Sequence, residues 1–337
     1  MKIDGGASAD LALMPERAKA LEAAGYDGLL TAETAHDPFL PLALAVEHTE
    51  RIEIGTSIAV AFGRTPMLLA NLGHDLNAFS QGRFVLGLGS QIRPHITKRF
   101  SMPWSHPAPR MREMVSAMRA IWDCWYNGTR LDFKGDFYTH TLMTPFFTPT
   151  NNEYGAPKVF LAAVGPLMTE VAGEVCDGII CHSFTTERYV REVTIPAIEK
   201  GLAKAGKTRA DFEVKCPVFV VSGDTEEEFT KSRQQIKQQI GFYGSTPAYR
   251  GVLEAHGWGD LQGELNAMSK RGKWVEMGEM ISDDILDAFA VQSETPEGIA
   301  QQVVGRFGDI VDRTSCAYMS SSPEKEAALV AAFKTAA

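Results

Sequence analysis

Ile52-Glu53-Ile54-Gly55-Thr56-Ser57-Ile58-Ala59 is a β-rich run; Thr65-Pro66 then opens a helix, and Phe84-Val85-Leu86-Gly87-Leu88-Gly89 is a second β-rich run. Strand, helix and strand in that order predict a parallel pair, because parallel neighbours need a crossover of a dozen or more residues. The same alternation extends in both directions. Strands are predicted at Lys2–Gly5, Gly28–Ala32, Val159–Ala163, Gly178–Cys181, Val214–Val221 and Ser315–Met319 as well. Helix starts are marked at Met14-Pro15, Asp37-Pro38, Thr225 with three glutamates behind it, Thr295-Pro296 and Ser322-Pro323. Eight strands, each followed by a helix, describe a (β/α)8 barrel, whose parallel sheet closes on itself.

Two segments exceed the minimal barrel. Residues 91–147 hold a helix predicted over Met111–Trp125 and a hairpin pattern around Lys134-Gly135; residues 241–289 are glycine-punctuated and amphipathic in patches. Both are read as insertions that roof one end of a single domain spanning residues 1–337, since no repeat, low-complexity tract or Pro/Ser linker divides the chain.

Composition narrows the function classes. The 337 residues are 45% hydrophobic and 22% charged, as in soluble globular proteins. With 33 Lys+Arg against 42 Asp+Glu the net charge is −9, which argues against a nucleic-acid partner. Apolar runs such as Phe39–Val46 are far shorter than the roughly 20 residues a membrane helix needs, so no membrane partner is expected. The polar start and five cysteines without a Cys-x-x-Cys pair fit reduced thiols in a cytoplasmic protein.

In such a barrel the groups that do chemistry sit at the carboxyl ends of the strands. This selects Glu33-Thr34-Ala35-His36, Phe62-Gly63-Arg64, Ser90-Gln91-Ile92-Arg93, Val164-Gly165-Pro166 and His182-Ser183-Phe184. His36 is a candidate general acid or base, or an orienting residue of its loop. Glu33 is read either as a ligand contact or as the partner of an arginine such as Arg64. His182 is read as a pocket residue or as a histidine packed under the rim. No metal is expected, because strand one lacks the His-x-His pattern of metal-dependent barrels. Gly165-Pro166 opens a helix whose free N–H groups and dipole suit an anion.

In order and spacing, Ala18–Gly28, Glu33–Pro38, Ile54–Ile58, Gly82–Ser90 and Val159–Pro166 together resemble the luciferase-like monooxygenase superfamily, and specifically its oxidoreductases that use the deazaflavin coenzyme F420. The resemblance implies an enzyme that transfers hydride between F420 and a small organic substrate. Flavin mononucleotide, in a monooxygenase, is the alternative cofactor, and a noncatalytic flavin-binding protein is the alternative class. It also implies a homodimer.

Residue by residue, the resemblance implies a cis Ser57-Ile58 bond forming a bulge behind the cofactor ring. Ser90 and Gln91 would lie along the ring or its ribityl chain, and Val164, Gly165 and Pro166 at its phosphate, with Glu33 beside the cofactor. His36 would be the catalytic histidine, although many relatives place Asp and His adjacent here where this chain has Glu33-Thr34-Ala35-His36. Phe62, Arg93 and His182 are candidates for substrate contact. Arg93, Lys98 and Arg99 form a basic group that suits an anionic cofactor tail, an anionic substrate or a solvated helix face. Trp122 and Trp125, at helical spacing, are expected in the core.

Overall fold

A computed structural model describes residues 1–316, 318 and 322–336. Its strands are β1 (Lys2–Gly6), β2 (Gly28–Thr31), β3 (Glu53–Thr56), β4 (Ala59–Val60), β5 (Phe84–Gly89), β6 (Phe133–Lys134), β7 (Thr139–His140), β8 (Lys158–Ala163), β9 (Gly178–Cys181), β10 (Glu213–Lys215), β11 (Phe219–Val221), β12 (Ala290–Gln292) and β13 (Arg313–Thr314). Among the described residues, β1, β2, β3, β5, β8, β9, β10 and β13 pair in parallel in that order, and β13 returns to β1. The fold is the (β/α)8 barrel that the alternation predicts.

The helix-start signals work as capping chemistry. Thr65, Thr225 and Thr295 each accept, through the side-chain oxygen, a backbone N–H of the first turn that would otherwise lack a partner. The helix expected over Met111–Trp125 spans Pro107–Asn127 and packs between the Pro66–Phe79 and Pro166–Val175 helices, so it occupies a place in the outer ring. The predicted hairpin is the antiparallel pair β6–β7. The Glu113 carboxylate, on the long helix, accepts the backbone N–H groups of Asp136, Phe137 and Tyr138, clipping the hairpin to the ring.

Three strands differ from expectation by more than one residue at an end. The run Ile52–Ala59 is divided at Ser57-Ile58 into β3 and β4, with β4 pairing the upper half of β5. The run Val214–Val221 is divided around Pro217, which has no N–H for a ladder, into β10 in the barrel and β11 outside it. There β11 pairs in parallel with β12, a strand the sequence did not reveal. The last strand lies earlier than Ser315–Met319: β13 is Arg313–Thr314, in register with Lys2 and Ile3, while Ala317 and Met319 of the expected strand lie outside the described residues.

Arg313 hides its strand because it is a charged residue pointing into the barrel. It is 2% exposed, and its Nε and Nη2 donate to both oxygens of Asp4, at 3.0 and 2.7 Å. Lys215, also 2% exposed, donates to the same carboxylate at 2.7 Å. Arg313 Nη1 reaches Glu53 at 2.7 Å and Glu213 at 3.3 Å, so β1, β3, β10 and β13 share one network at the amino-terminal end of the barrel. Room for the guanidinium comes from Gly28, where a Cβ would lie 2.3 Å from the Asp4 carboxylate, and room for Phe160 from Gly178, where a Cβ would lie 2.6 Å from its ring.

Burial opposes ionisation of Asp4, but Lys215 and Arg313 outweigh it and hold the carboxyl below its ordinary value of 3.8. Because this value is depressed in the folded state, the stabilisation is complete above pH 3.8 and is lost as pH falls through the lower folded value. Asp4→Asn leaves the buried Lys215 without a counterion and Arg313 with only Glu53 and Glu213, and is expected to cost about 3–5 kcal/mol, read from the urea midpoint at pH 7. A loss below about 1 kcal/mol, within the range of a surface ion pair, would show that the network does not hold the barrel closed.

Candidate active site

At the carboxyl ends of the strands lies a cavity of about 550 Å³, within the ordinary range for a cofactor or substrate site. Its floor is made of small side chains at strand ends: Ala32, Ser57, Gly89, Ser90, Ala162 and Ala163. The Ser57-Ile58 peptide is cis. Ser57 N–H donates to Thr31 O at 2.6 Å and Glu33 N–H to Ile58 O at 3.0 Å, so this segment is tied to the end of β2. On its other side, a Cβ on Gly89 would lie 2.8 Å from Ile58 Cδ1, so the glycine leaves room for the Ile58 side chain.

Glu33 borders the cavity and is buried. Its Oε2 accepts from Val60 N–H at 2.7 Å and from Arg64 Nη1 at 2.6 Å, so the pairing with Arg64 is realised. Arg64 also donates to Val60 O and, at 3.4 Å, to Asp37. The loop after β2 is thus pinned to the turn after β4. Arg99 adds a second tie by donating to Thr34 O.

After β5, Ser90 Oγ donates to Gln91 O, and Gln91 holds a left-handed backbone at φ 58°, uncommon for a residue with a side chain. Both residues line the cavity. Val164 lines it too, with its carbonyl accepting from the Tyr189 hydroxyl. Gly165 and Pro166 stand next to it, at the start of the Pro166–Val175 helix, which sends Met168 into the cavity wall.

His182, at the end of β9, is in the wall. Its Nδ1 accepts the Phe184 N–H at 2.9 Å, which puts the proton of the neutral ring on Nε2. Burial lowers its pKa to about 4, so the ring is neutral at physiological pH. Tyr243 meets it edge-on at 4.5 Å between ring centroids, and Tyr249 lies at 4.9 Å. These tyrosines come from the end of the Glu226–Gly244 helix and the turn that follows, inside the predicted roof segment 241–289. Sequence reasoning missed them because no periodicity links a roof residue to a given strand end.

Glu33, Ser57, Ile58, Ser90, Gln91, Val164 and His182 therefore share the cavity, while Gly165, Pro166, Phe62, Phe184, Arg93 and His36 fall outside its lining. Phe62 is fully buried, with its ring against Trp104 and under the Arg110 guanidinium; the short helical turn Ala61–Gly63 points it into the core. Phe184 is likewise buried, behind Tyr249. Arg93 and His36 are exposed, beyond the cavity lining. Trp122 and Trp125 are core residues as expected.

Comparison with known proteins agrees with this architecture. A protein of Mycobacterium tuberculosis with uncharacterised function is 53% identical over 324 residues, 96% of this chain and 95% of its own. An F420-dependent glucose-6-phosphate dehydrogenase of Rhodococcus erythropolis is 34% identical over 200 residues, 57% of each chain. The structure of the coenzyme F420 dependent tetrahydromethanopterin reductase from Methanopyrus kandleri shares the fold, with a TM-score of 0.77 at 19% identity over 98% of this chain and 96% of that one. The luciferase-like monooxygenase profile matches residues 2–313, and with the closed barrel and the cavity at its strand ends this places the chain in the luciferase-like monooxygenase family.

Proposed function

We propose that the chain is an F420-dependent oxidoreductase, acting on a small organic molecule in the cavity at the barrel's carboxyl end. The observation that carries this reading is the cavity of about 550 Å³ at the strand ends, lined by the small residues Ser57, Gly89, Ser90, Ala162 and Ala163 beside Ile58, where a bulky ring can approach the strand ends. Named sequence relatives that use F420 support this cofactor, which when bound supplies a two-electron hydride carrier. A single-domain, homodimeric, cytoplasmic enzyme belongs to the same reading.

The roles of the protein's own residues follow from their places. Ser57, Ile58 and Glu33 would back the ring from the side of β2 and β3; Ser90 and Gln91 would follow it along the end of β5. Val164, Gly165 and Pro166 would meet the phosphate at the helix start, where first-turn N–H groups face outward without helical partners. Arg93, exposed beyond β5, would meet an anionic tail outside the cavity. His36 would exchange with bulk water the proton that accompanies the hydride. On its loop, Asp37 is engaged with Arg64 and with the N–H groups of Phe39 and Leu40, whereas His36 has no hydrogen-bond partner among the described residues.

Titration with oxidised F420, followed by fluorescence quenching, is expected to show saturable binding tighter than that of flavin mononucleotide; preference for the flavin would transfer the chain to the monooxygenase reading, and binding of neither would remove both. For His36→Ala the expected result is a lower kcat with F420 affinity unchanged, by less than the roughly 100-fold of a proton-transfer group in direct contact, since His36 lies outside the cavity lining. An unaltered kcat would take His36 out of the chemistry.

A further inference from the structure

The aromatic part of the cavity wall differs from the floor in kind. His182, Tyr243 and Tyr249 form one aromatic surface, and a second layer stiffens it: Phe184 stacks on Tyr249 at 5.8 Å and Phe219 on Tyr243 at 6.4 Å. Aromatic surfaces of this kind attract rings and apolar groups through contact area and offset or edge-on geometry. The electrostatics are equally specific. Among the residues that line the cavity there is no lysine and no arginine, and the carboxyl group of Glu33 is paired with Arg64. The basic residues nearest in the chain, Arg93, Lys98 and Arg99, are exposed to solvent outside it.

Three polar groups belong to the aromatic surface, the hydroxyls of Tyr243 and Tyr249 and the imidazole of His182, and only the imidazole has its other polar atom already engaged by backbone. His182 Nδ1 is occupied by the Phe184 N–H, and the Nε2–H has no acceptor among the described residues. It can only donate, and a neutral donor in apolar surroundings pairs with a carbonyl or hydroxyl oxygen at less cost than a phosphate dianion would incur in leaving water.

We infer that this wall selects an uncharged, ring-bearing or branched apolar substrate with one hydrogen-bond acceptor, packed on Tyr243 and Tyr249 and held by the His182 Nε2–H, and that it discriminates against phosphorylated substrates. The inference deepens the proposed function and rests on its assignment of the floor to the cofactor. It separates this chain from relatives named for a sugar phosphate.

The test uses acetophenone and its anionic counterpart 4-acetylphenyl phosphate on the full-length protein, with and without saturating F420, by ligand-observed NMR. Acetophenone is expected to bind at least about tenfold more tightly, because no lining cation compensates the phosphate. Tyr249→Ala is expected to weaken acetophenone about tenfold through lost ring contact. His182→Phe, which keeps a ring and removes the donor, is expected to weaken acetophenone several-fold while leaving ethylbenzene, which has no acceptor, unchanged. Thermal unfolding of both variants confirms that they fold. Equal affinity for the two acetyl probes, or no binding of acetophenone, overturns the inference. Failure of F420 itself to bind overturns the cofactor reading instead, and the probe pair on the cofactor-free chain still decides this one.

Discussion

The bidentate contact between Arg313 and Asp4 closes the molecule. A barrel becomes a barrel only when its last strand finds its first, and here β13 is two residues long, so its backbone hydrogen bonds with β1 are few. The ion pair supplies what the short ladder lacks: the planar guanidinium donates two parallel bonds to one carboxylate, and Lys215 adds a third from β10. Buried ion pairs repay their desolvation only with such geometry, and they fix arrangement more surely than they add stability. Register follows, since a shift by one residue would turn Arg313 out of the barrel and leave Asp4 unpaired. Everything at the other end, including which side chains border the cavity, inherits that register.

How much of this was legible in the sequence varied with the kind of signal. Apolar runs ended by glycine or proline revealed the strands whose interior residues are apolar, and β5 and β9 were read to the residue. The same rule failed at β13, because Arg313 looks like a surface residue and the apolar Cys316 and Tyr318 nearby look like a strand. It failed at Val214–Val221 because one apolar run serves two sheets, with Pro217 as the break. Site residues on strand ends were legible as a group, since a parallel barrel gathers them by topology. Phe62 shows the limit of that logic: it follows a strand, but a tight turn after the strand redirects it inward. Tyr243 and Tyr249 show another, for their place against His182 depends on how a long segment folds back in three dimensions.

The two ends of the barrel treat charge in opposite ways. At the amino-terminal end cations and carboxylates are buried and matched, each oxygen of Asp4 having a donor. At the carboxyl end the single acidic side chain in the cavity lining, Glu33, is paired by Arg64, which lies outside it, and the remaining polarity is that of hydroxyls, an amide and a neutral imidazole. The overall charge of −9 therefore says little about the site. What a ligand meets is a nearly neutral surface, with basic side chains placed only beyond the mouth.

The side sheet made by β11 and β12 has a further meaning. Its parallel pairing sets Phe219 beside Ala290 and Val221 beside Gln292, so the chain that leaves after β11 returns within a strand's length of its departure. Everything between, including both tyrosines of the wall, begins and ends at this small clasp. The floor, in contrast, is written into the strand ends of the barrel itself. Such a division makes the roof an exchangeable cassette: mutation can rewrite the tyrosine part of the wall while His182 at the end of β9, the seat beneath it and the ion pair that closes the barrel are left untouched.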